Sequence, residues 1–375
     1  MRFPRSGSKI DQIKTNELVA AAIEAGVNYF DTAYIYGGSE EALGKALEAC
    51  GRRDEVYIAT KLPHYTCKNA EDFGRIFTKQ LDRLRTGHID YYLMHMLSNP
   101  ESWRRIKSFG IESWIDDKKK SGIIKNIGFS FHGGREAFIE LLEVYDWDFC
   151  MVQYNYYDEY NQATVAGVRA AHEKGIPVIV MEPLLGGTLA NGLPDEAKQA
   201  FAKVDKNRSP ADWAFRWLLN QPEVTMALSG MSSMEQLNEN IAVANDSAPG
   251  MLSDTELAAY PEAISALKKA VRIKCTGCAY CMPCPGGVDI ASCFTAYNAS
   301  YMFGRVTGIA NYTQVTGQTT PVQTDASKCI ECGKCEPQCP QGIKITAELK
   351  KVRRRMLTFL TKPLFRFARF ILKIK

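Results

Sequence analysis

The feature that most limits what this chain can fold into is an alternation running through its first two thirds. Short apolar runs of strand length are each followed by a longer stretch whose apolar residues recur at helical spacing. Seven runs read as strands: Val27 to Asp31, Val56 to Thr60, Ile89 to Met94, Ile124 to Ser130, Phe149 to Tyr154, Ile176 to Met181 and Val224 to Ser229. Helical patterns cover Lys14 to Ala25, Glu40 to Cys50, Ala70 to Arg85, Glu136 to Tyr145, Gln162 to Lys174, Pro210 to Asn220 and Met234 to Ala244. Such alternation argues for a parallel sheet with helices outside it. A closed (β/α) barrel has eight strands, and the missing one would precede the first helix, where only MRFPRSGSK stands. The expected fold is an α/β, TIM-type (β/α) barrel lacking its first strand, with the natural protein expected to start upstream of Met1.

Three consecutive strands end in residues an acid/base site would use. The first closes on Asp31 and opens into a loop carrying Tyr36, VYIATK closes on Lys61, and IDYYLMH closes on His95. A parallel barrel collects its catalytic groups at the carboxyl ends of its strands. A phenol is a weak acid, with an unperturbed pKa of about 10. A neighbouring ammonium would lower it, and a carboxylate would hold that ammonium charged and oriented. Tyr36, Lys61 and Asp31 can fill those roles, and His95 can hold the oxygen being protonated. This set suits reduction of a carbonyl by hydride from a nicotinamide, or the reverse oxidation of an alcohol. Taken singly, each residue has a plainer reading: a solvated lysine, a packed tyrosine, a satisfied core histidine. Their joint occurrence at successive strand ends favours the site. His64, His88, His132 and His172 read as structural, His132 being the nearest to the expected cofactor.

The segments DTAYIYGGSE, ATK and LMH closely resemble the aldo/keto reductases, whose Asp, Tyr, Lys and His tetrad falls on Asp31, Tyr36, Lys61 and His95. The resemblance continues through GFSFHG, QYNYYD, EPLLGG and LSGMSSMEQLNENI to about Ala244. It implies that Ser130 and Gln153 hold the nicotinamide amide, and that the loop and helix from Gly230 to Asn240, with Ser232 and Gln236, hold the adenosine end. Phe131 stands where many members have asparagine, and Met181 where many stack a tyrosine on the ring. Gly230 and Gln236 stand where basic residues usually clamp the 2′-phosphate, so the choice between NADP and NAD stays open.

Eight of the twelve cysteines fall in CTGCAYCMPCP (275–285) and CIECGKCEPQCP (329–340). The second is the run of bacterial-type ferredoxins; the first has one residue fewer before its fourth cysteine. Zinc is the competing reading of CxxC pairs, but four cysteines per motif and the closing Cys-Pro favour two 4Fe-4S clusters. By analogy with two-cluster ferredoxins, Cys275, Cys278 and Cys281 pair with Cys339, and Cys329, Cys332 and Cys335 with Cys284. Cys50, Cys67, Cys150 and Cys293 read as ordinary thiols. A cubane moves one electron and a nicotinamide a hydride, so three readings of the clusters stay open: structural, redox-sensing, or exchanging electrons with an external electron-transfer protein, which is then a partner beside a small carbonyl or alcohol substrate. The runner-up function is an electron-transfer or scaffold subunit, with the barrel as a docking body.

Charge is uneven along the chain. Residues 349–375 hold ten Lys/Arg and no Asp/Glu, leaving 36 basic against 42 acidic residues elsewhere. Leu349, Val352, Met356, Phe359, Leu360, Phe367, Ile371 and Ile374 recur near helical period, with Pro363 as an interruption. Such a basic amphipathic segment either meets a membrane surface or packs on the protein. No apolar run reaches the roughly 18 residues of a membrane span, and the amino end lacks a signal-peptide core. The chain reads as cytoplasmic, peripheral to a membrane only through this tail, with no nucleic-acid reading module. The expected organisation is a barrel (1–250), a linker helix and ferredoxin-like domain (251–348) and the tail (349–375).

Overall fold

The computed structural model describes residues 3–6, 9–160, 162–269, 271–275, 281–316, 318, 323–339, 341–358, 361 and 363. They fall into two compact units, Met1–Gly187 with Ala211–Ser253, and Thr188–Pro210 with Asp254–Lys375.

The first unit opens with an antiparallel pair of short strands, β1 (Arg5–Ser6) and β2 (Lys9–Ile10). Among the described residues, seven further strands form one parallel sheet: β3 (Tyr29–Asp31), β4 (Tyr57–Leu62), β5 (Ile89–Leu97), β6 (Ile124–Phe131), β7 (Phe149–Gln153), β8 (Val178–Met181) and β9 (Met226–Ala227). They pair in sequence order, with β3 and β9 as the ends of the row. The connecting helices are α1 (Gln12–Glu24), α2 (Ser39–Cys50), α3 (Ala70–Leu84), α4 (Pro100–Lys107), α5 (Ile111–Lys120), α6 (Arg135–Leu141) and α7 (Thr164–Glu173). Helices α4 and α5 are additions to the expected pattern. Both are short and mostly charged, with only Pro100, Trp103, Ile106, Ile111 and Ile115 buried, so their periodicity is faint.

The strands sort their side chains by parity, because successive residues of a strand face opposite sides. Phe30, Ile58, Tyr92, Met94, Ile127, Phe129, Cys150, Val152, Val178 and Val180 join the layer beneath the helices. Ala59, Leu93, Phe149, Met151 and Ile179 pack together on the other face with Tyr29, Tyr91, Met181, Met226 and Leu228. Each large apolar side chain buried in this way contributes about 1.5–3 kcal/mol. The inner parity decides where chemistry can sit: two residues beyond Tyr29, Ala59, Leu93, Gly128 and Met151 come Asp31, Lys61, His95, Ser130 and Gln153. Close approaches are bought with glycine: a Cβ on Gly44 of α2 would lie 2.4 Å from the Arg83 carbonyl oxygen of α3.

The second unit begins with α8 (Thr188–Asn191) and α9 (Asp195–Ala202). The chain then rejoins the first unit through α10 (Pro210–Leu219) and α11 (Met234–Asn245), and returns with α12 (Asp254–Lys269). Helix α9 packs on α12, with the Phe201 and Tyr260 rings 5.4 Å apart. Helices α13 (Ile290–Met302) and α14 (Arg305–Val315) fill the spacer between the cysteine motifs, and α15 (Ile345–Met356) follows the second motif. Ile345, Leu349, Val352 and Met356 of α15 are buried with Ile273, Val288, Phe294, Tyr297 and Tyr312 in one core. The opening of the basic tail is therefore a core helix, with Lys350, Lys351, Arg353 and Arg354 outward and Arg355 held on Ser300. Phe359, Leu360, Phe367, Ile371 and Ile374 lie outside the described residues. Among the described residues no helix is long and apolar enough to cross a membrane.

Candidate active site

The interior parity and the shared strand direction bring Asp31, Lys61 and His95 to one rim of the sheet, where the loop after β3 adds Tyr36. Lys61 is 1% exposed and donates to both Asp31 oxygens, at 2.6 and 2.7 Å, and to the Thr32 carbonyl at 2.7 Å. An ammonium has three protons, and all three are committed. Its nitrogen lies 5.2 Å from the centre of the Tyr36 ring. The rings of Tyr36 and His95 meet edge to face at 5.8 Å.

The electrostatics differ from the sequence expectation in one respect. Lys61 was expected to pull the Tyr36 phenol down, yet the partial loss of water around this 37% exposed side chain, followed by the charges of Asp31 and Glu182, pushes it above its ordinary value. The reason is the ion pair: with its protons on Asp31 and Thr32, the ammonium offers the phenol oxygen no hydrogen bond, and the carboxylate cancels much of its field. Burial pulls the Lys61 ammonium down while Asp31 and Glu40 resist. His95 is held neutral, lowered to about 3 by burial and by Lys61, His132 and His64. Its Nδ1 is buried without a hydrogen-bond partner among the described residues. His64, on the loop after β4, is 3% exposed and lowered to about 4 by burial and Arg105.

The residues expected to meet a cofactor are spread over three more strand ends. Ser130 is buried, and its hydroxyl oxygen accepts the Met96 N–H at 2.9 Å, leaving its proton to give. Gln153 accepts from Gln162 at 2.8 Å and donates to Asp158 at 3.3 Å. A hydroxyl and a primary amide on neighbouring strand ends are a donor and acceptor set that fits a carboxamide. Phe131 turns away to the helix side, 4.9 Å from Phe138. Beyond β9, exposed Gly230 leads to Ser233, which caps α11. Gln236 accepts the Ser232 N–H at 2.8 Å, and Asn240 donates to the Ser229 hydroxyl at 2.8 Å, so both brace the loop.

In the second unit, Cys275, Cys281, Cys284, Cys329, Cys335 and Cys339 all border the same apolar core. A Cβ on Gly286 would lie 2.5 Å from the Lys328 carbonyl oxygen, so the turn after Cys284 rests on the chain that opens the second motif. Cys278 lies outside the described residues. Among the described residues no three ligand side chains are gathered closely enough to hold an ion.

The family model for the aldo/keto reductase family matches residues 1–249. The chain belongs to the aldo/keto reductase family. A 4Fe-4S dicluster domain matches residues 274–343, which makes this aldo/keto reductase an oxidoreductase with a C-terminal ferredoxin-type domain. It is 29% identical over 238 residues to an aldo-keto reductase of Mycobacterium avium, covering 63% of this chain and 78% of that one. It is 27% identical over 265 residues to the uncharacterized oxidoreductase YqkF of Bacillus subtilis, covering 62% and 82%. Among solved structures it resembles the holo form of aldo-keto reductase AKR11C1 from Bacillus halodurans, with TM-score 0.57 and 24% identity over 68% of this chain and 88% of that one. An aldo-keto reductase from Klebsiella pneumoniae in complex with NADPH gives TM-score 0.54 and 22% identity over 66% and 84%. At these identities the structures speak for the fold.

Glu40 is a buried acid that the sequence pattern conceals. An acid in the first turn of a helix ordinarily faces water and favours the helix dipole, yet Glu40 is 1% exposed.

Proposed function

We propose that this aldo/keto reductase reduces a carbonyl to an alcohol with Tyr36 as the proton donor and a nicotinamide dinucleotide as the hydride source. The observation that carries the reading is the convergence of Tyr36 on the Lys61–Asp31 ion pair and the His95 ring. When bound, the nicotinamide supplies the hydride that becomes the new C–H bond. Tyr36 gives its O–H proton to the carbonyl oxygen. A phenol held above its ordinary value is protonated at neutral pH and so is available as an acid. Neutral His95 hydrogen-bonds the substrate oxygen, and the phenolate left behind is met by what remains of the Lys61 field beyond Asp31, across the 5.2 Å to the ring and without a direct hydrogen bond. Ser130 and Gln153 would hold the nicotinamide carboxamide. The segment 228–241 contains no Lys or Arg, so a 2′-phosphate finds no cation there, and NADH is expected to bind more tightly than NADPH.

The second unit is read as holding two 4Fe-4S clusters with the crossed ligand sets, supported by the rest of the Cys284 turn on Lys328. Ile330 is 64% exposed and Cys332 is exposed, which supports exchange of single electrons with an external protein at the second motif.

The test is Tyr36→Phe in the full-length, anaerobically purified protein, assayed with NADH and NADPH against 4-nitrobenzaldehyde. A loss of at least about a hundredfold in turnover with unchanged nicotinamide affinity is expected. Undiminished turnover would remove the phenol from the mechanism.

A further inference from the structure

Behind β4, on the face away from Lys61, lies a closed polar network. Glu40 Oε1 accepts from the Thr60 hydroxyl at 2.7 Å and from Gln80 Nε2 at 2.9 Å. Glu40 Oε2 accepts from Arg83 at 2.9 Å. Gln80 Nε2 also reaches the Lys61 carbonyl oxygen at 3.1 Å, and Gln80 Oε1 accepts from the Tyr92 hydroxyl at 2.8 Å. Arg83 continues to the Tyr34 carbonyl at 3.3 Å and lies 4.7 Å from the centre of the Tyr34 ring. One buried carboxylate thus ties α2 and α3 to the strand that bears Lys61 and to the loop that bears Tyr36. A lone ion pair in the helix layer would be an expensive way to add stability, since removing two charges from water costs about as much as their attraction returns.

We propose that Glu40 is a positioning residue for the Lys61–Tyr36 pair: it locks the backbone on which both stand and places a negative charge behind the ammonium, opposite Asp31. Two carboxylates then act on Lys61, one in contact and one from the other face of the strand, and they work to different ends. Asp31 binds the ammonium directly and cancels its field on the loop side. Glu40 acts through the strand, with Arg83 from α3 and Tyr92 from β5 facing it. The groups facing Lys61 itself are Asp31, Tyr36 and His95. Burial opposes the charged lysine and Glu40 counters it, so the charge needed to receive a phenolate persists to higher pH than it would with Asp31 alone.

This inference rests on the reading of Lys61 and Tyr36 given above. Its test is the pH dependence of turnover with NADH and 4-nitrobenzaldehyde for the wild type, Glu40→Gln, Glu40→Asp, Thr60→Val and Lys61→Met, each checked for folding by thermal melting. Glu40→Gln should move the alkaline limb to lower pH by about half a unit and lower turnover at neutral pH. Glu40→Asp keeps the charge and should restore the limb while recovering only part of the rate. Thr60→Val removes a hydrogen bond without removing charge and should leave the limb in place. A folded Glu40→Gln enzyme with the wild-type limb would overturn the role of Glu40, whether or not its melting temperature falls. Should Lys61→Met retain activity, the acid/base reading itself fails, which separates the two outcomes.

Discussion

The ammonium of Lys61 stands 2.6 and 2.7 Å from the two carboxylate oxygens of Asp31, at the end of neighbouring parallel strands. Register explains the match. Asp31 pairs with Ala59, so the lysine two residues further on reaches back along the inner face to the carboxylate.

Breaking this pair should cost more than an exposed salt bridge would. Asp31→Asn leaves an ammonium that is 1% exposed without its counter-charge, a situation worth about 3 kcal/mol or more. The sign with pH is fixed. Lys61 in the folded protein already binds its proton less tightly than an unfolded lysine, and the variant deepens this, so its stability rises with pH wherever the unfolded chain holds more protons. Urea denaturation should show a large deficit at pH 7 that shrinks toward pH 10.

Two histidines add an acid-sensitive contribution. His64 and His95 are lowered to about 4 and about 3 by burial, below the unfolded value of about 6.5. The unfolded state takes up protons first as pH falls, so stability is full above about 6.5 and is lost toward 4. For His64 the full span amounts to about 3 kcal/mol. Denaturation of His64→Asn from pH 7 to pH 4 should show a flatter decline than the wild type.

Helix α2 can reach its place only because Gly44 has no side chain. A Cβ there would sit 2.4 Å from the Arg83 carbonyl oxygen and 2.7 Å from the Leu84 carbonyl carbon. Gly44→Ala should destabilise by about 1–3 kcal/mol and, by prising α2 from α3, reduce turnover as well; melting temperature and rate should fall together.

The crossed ligand sets proposed for the two clusters predict a specific loss of metal. Cys284→Ser should remove the cluster of the second motif and leave the other, so iron and acid-labile sulfide fall from about eight to about four per chain. A fall only in the signal of the first motif, followed by electron paramagnetic resonance in single-motif variants, would argue against crossing.

Helix α15 belongs to the core of the ferredoxin-type unit, so a charge inside its stripe should unfold that unit. Val352 is fully buried, and Val352→Asp should cost several kcal/mol through a buried, unpaired carboxylate and strip iron from the protein on gel filtration. Liposome flotation of a chain shortened after Thr358 then tests the remaining tail without damaging this core. Equal partitioning of long and short chains would dismiss a membrane role.

By itself, the sequence determined the strand–helix alternation, the seven parallel strands and the two cysteine motifs, because periodicity and spacing are local properties written in consecutive residues. It also pointed to Asp31, Tyr36, Lys61 and His95 as a candidate site, since they end or follow three successive strand-like runs and stand in segments that resemble the aldo/keto reductases. The short helices α4 and α5 escaped it, because most of their residues face water and carry little period. The even choice for the basic tail was settled for Leu349, Val352 and Met356 only by the core they enter. The direction of the Tyr36 shift and the burial of Glu40 needed the tertiary structure for a common reason. A charge is tuned by what stands across the sheet and how much water is left there: Glu40 meets partners 20 to 43 residues away along the chain, and Tyr36 feels Glu182 from a distant strand end as well as nearby Asp31.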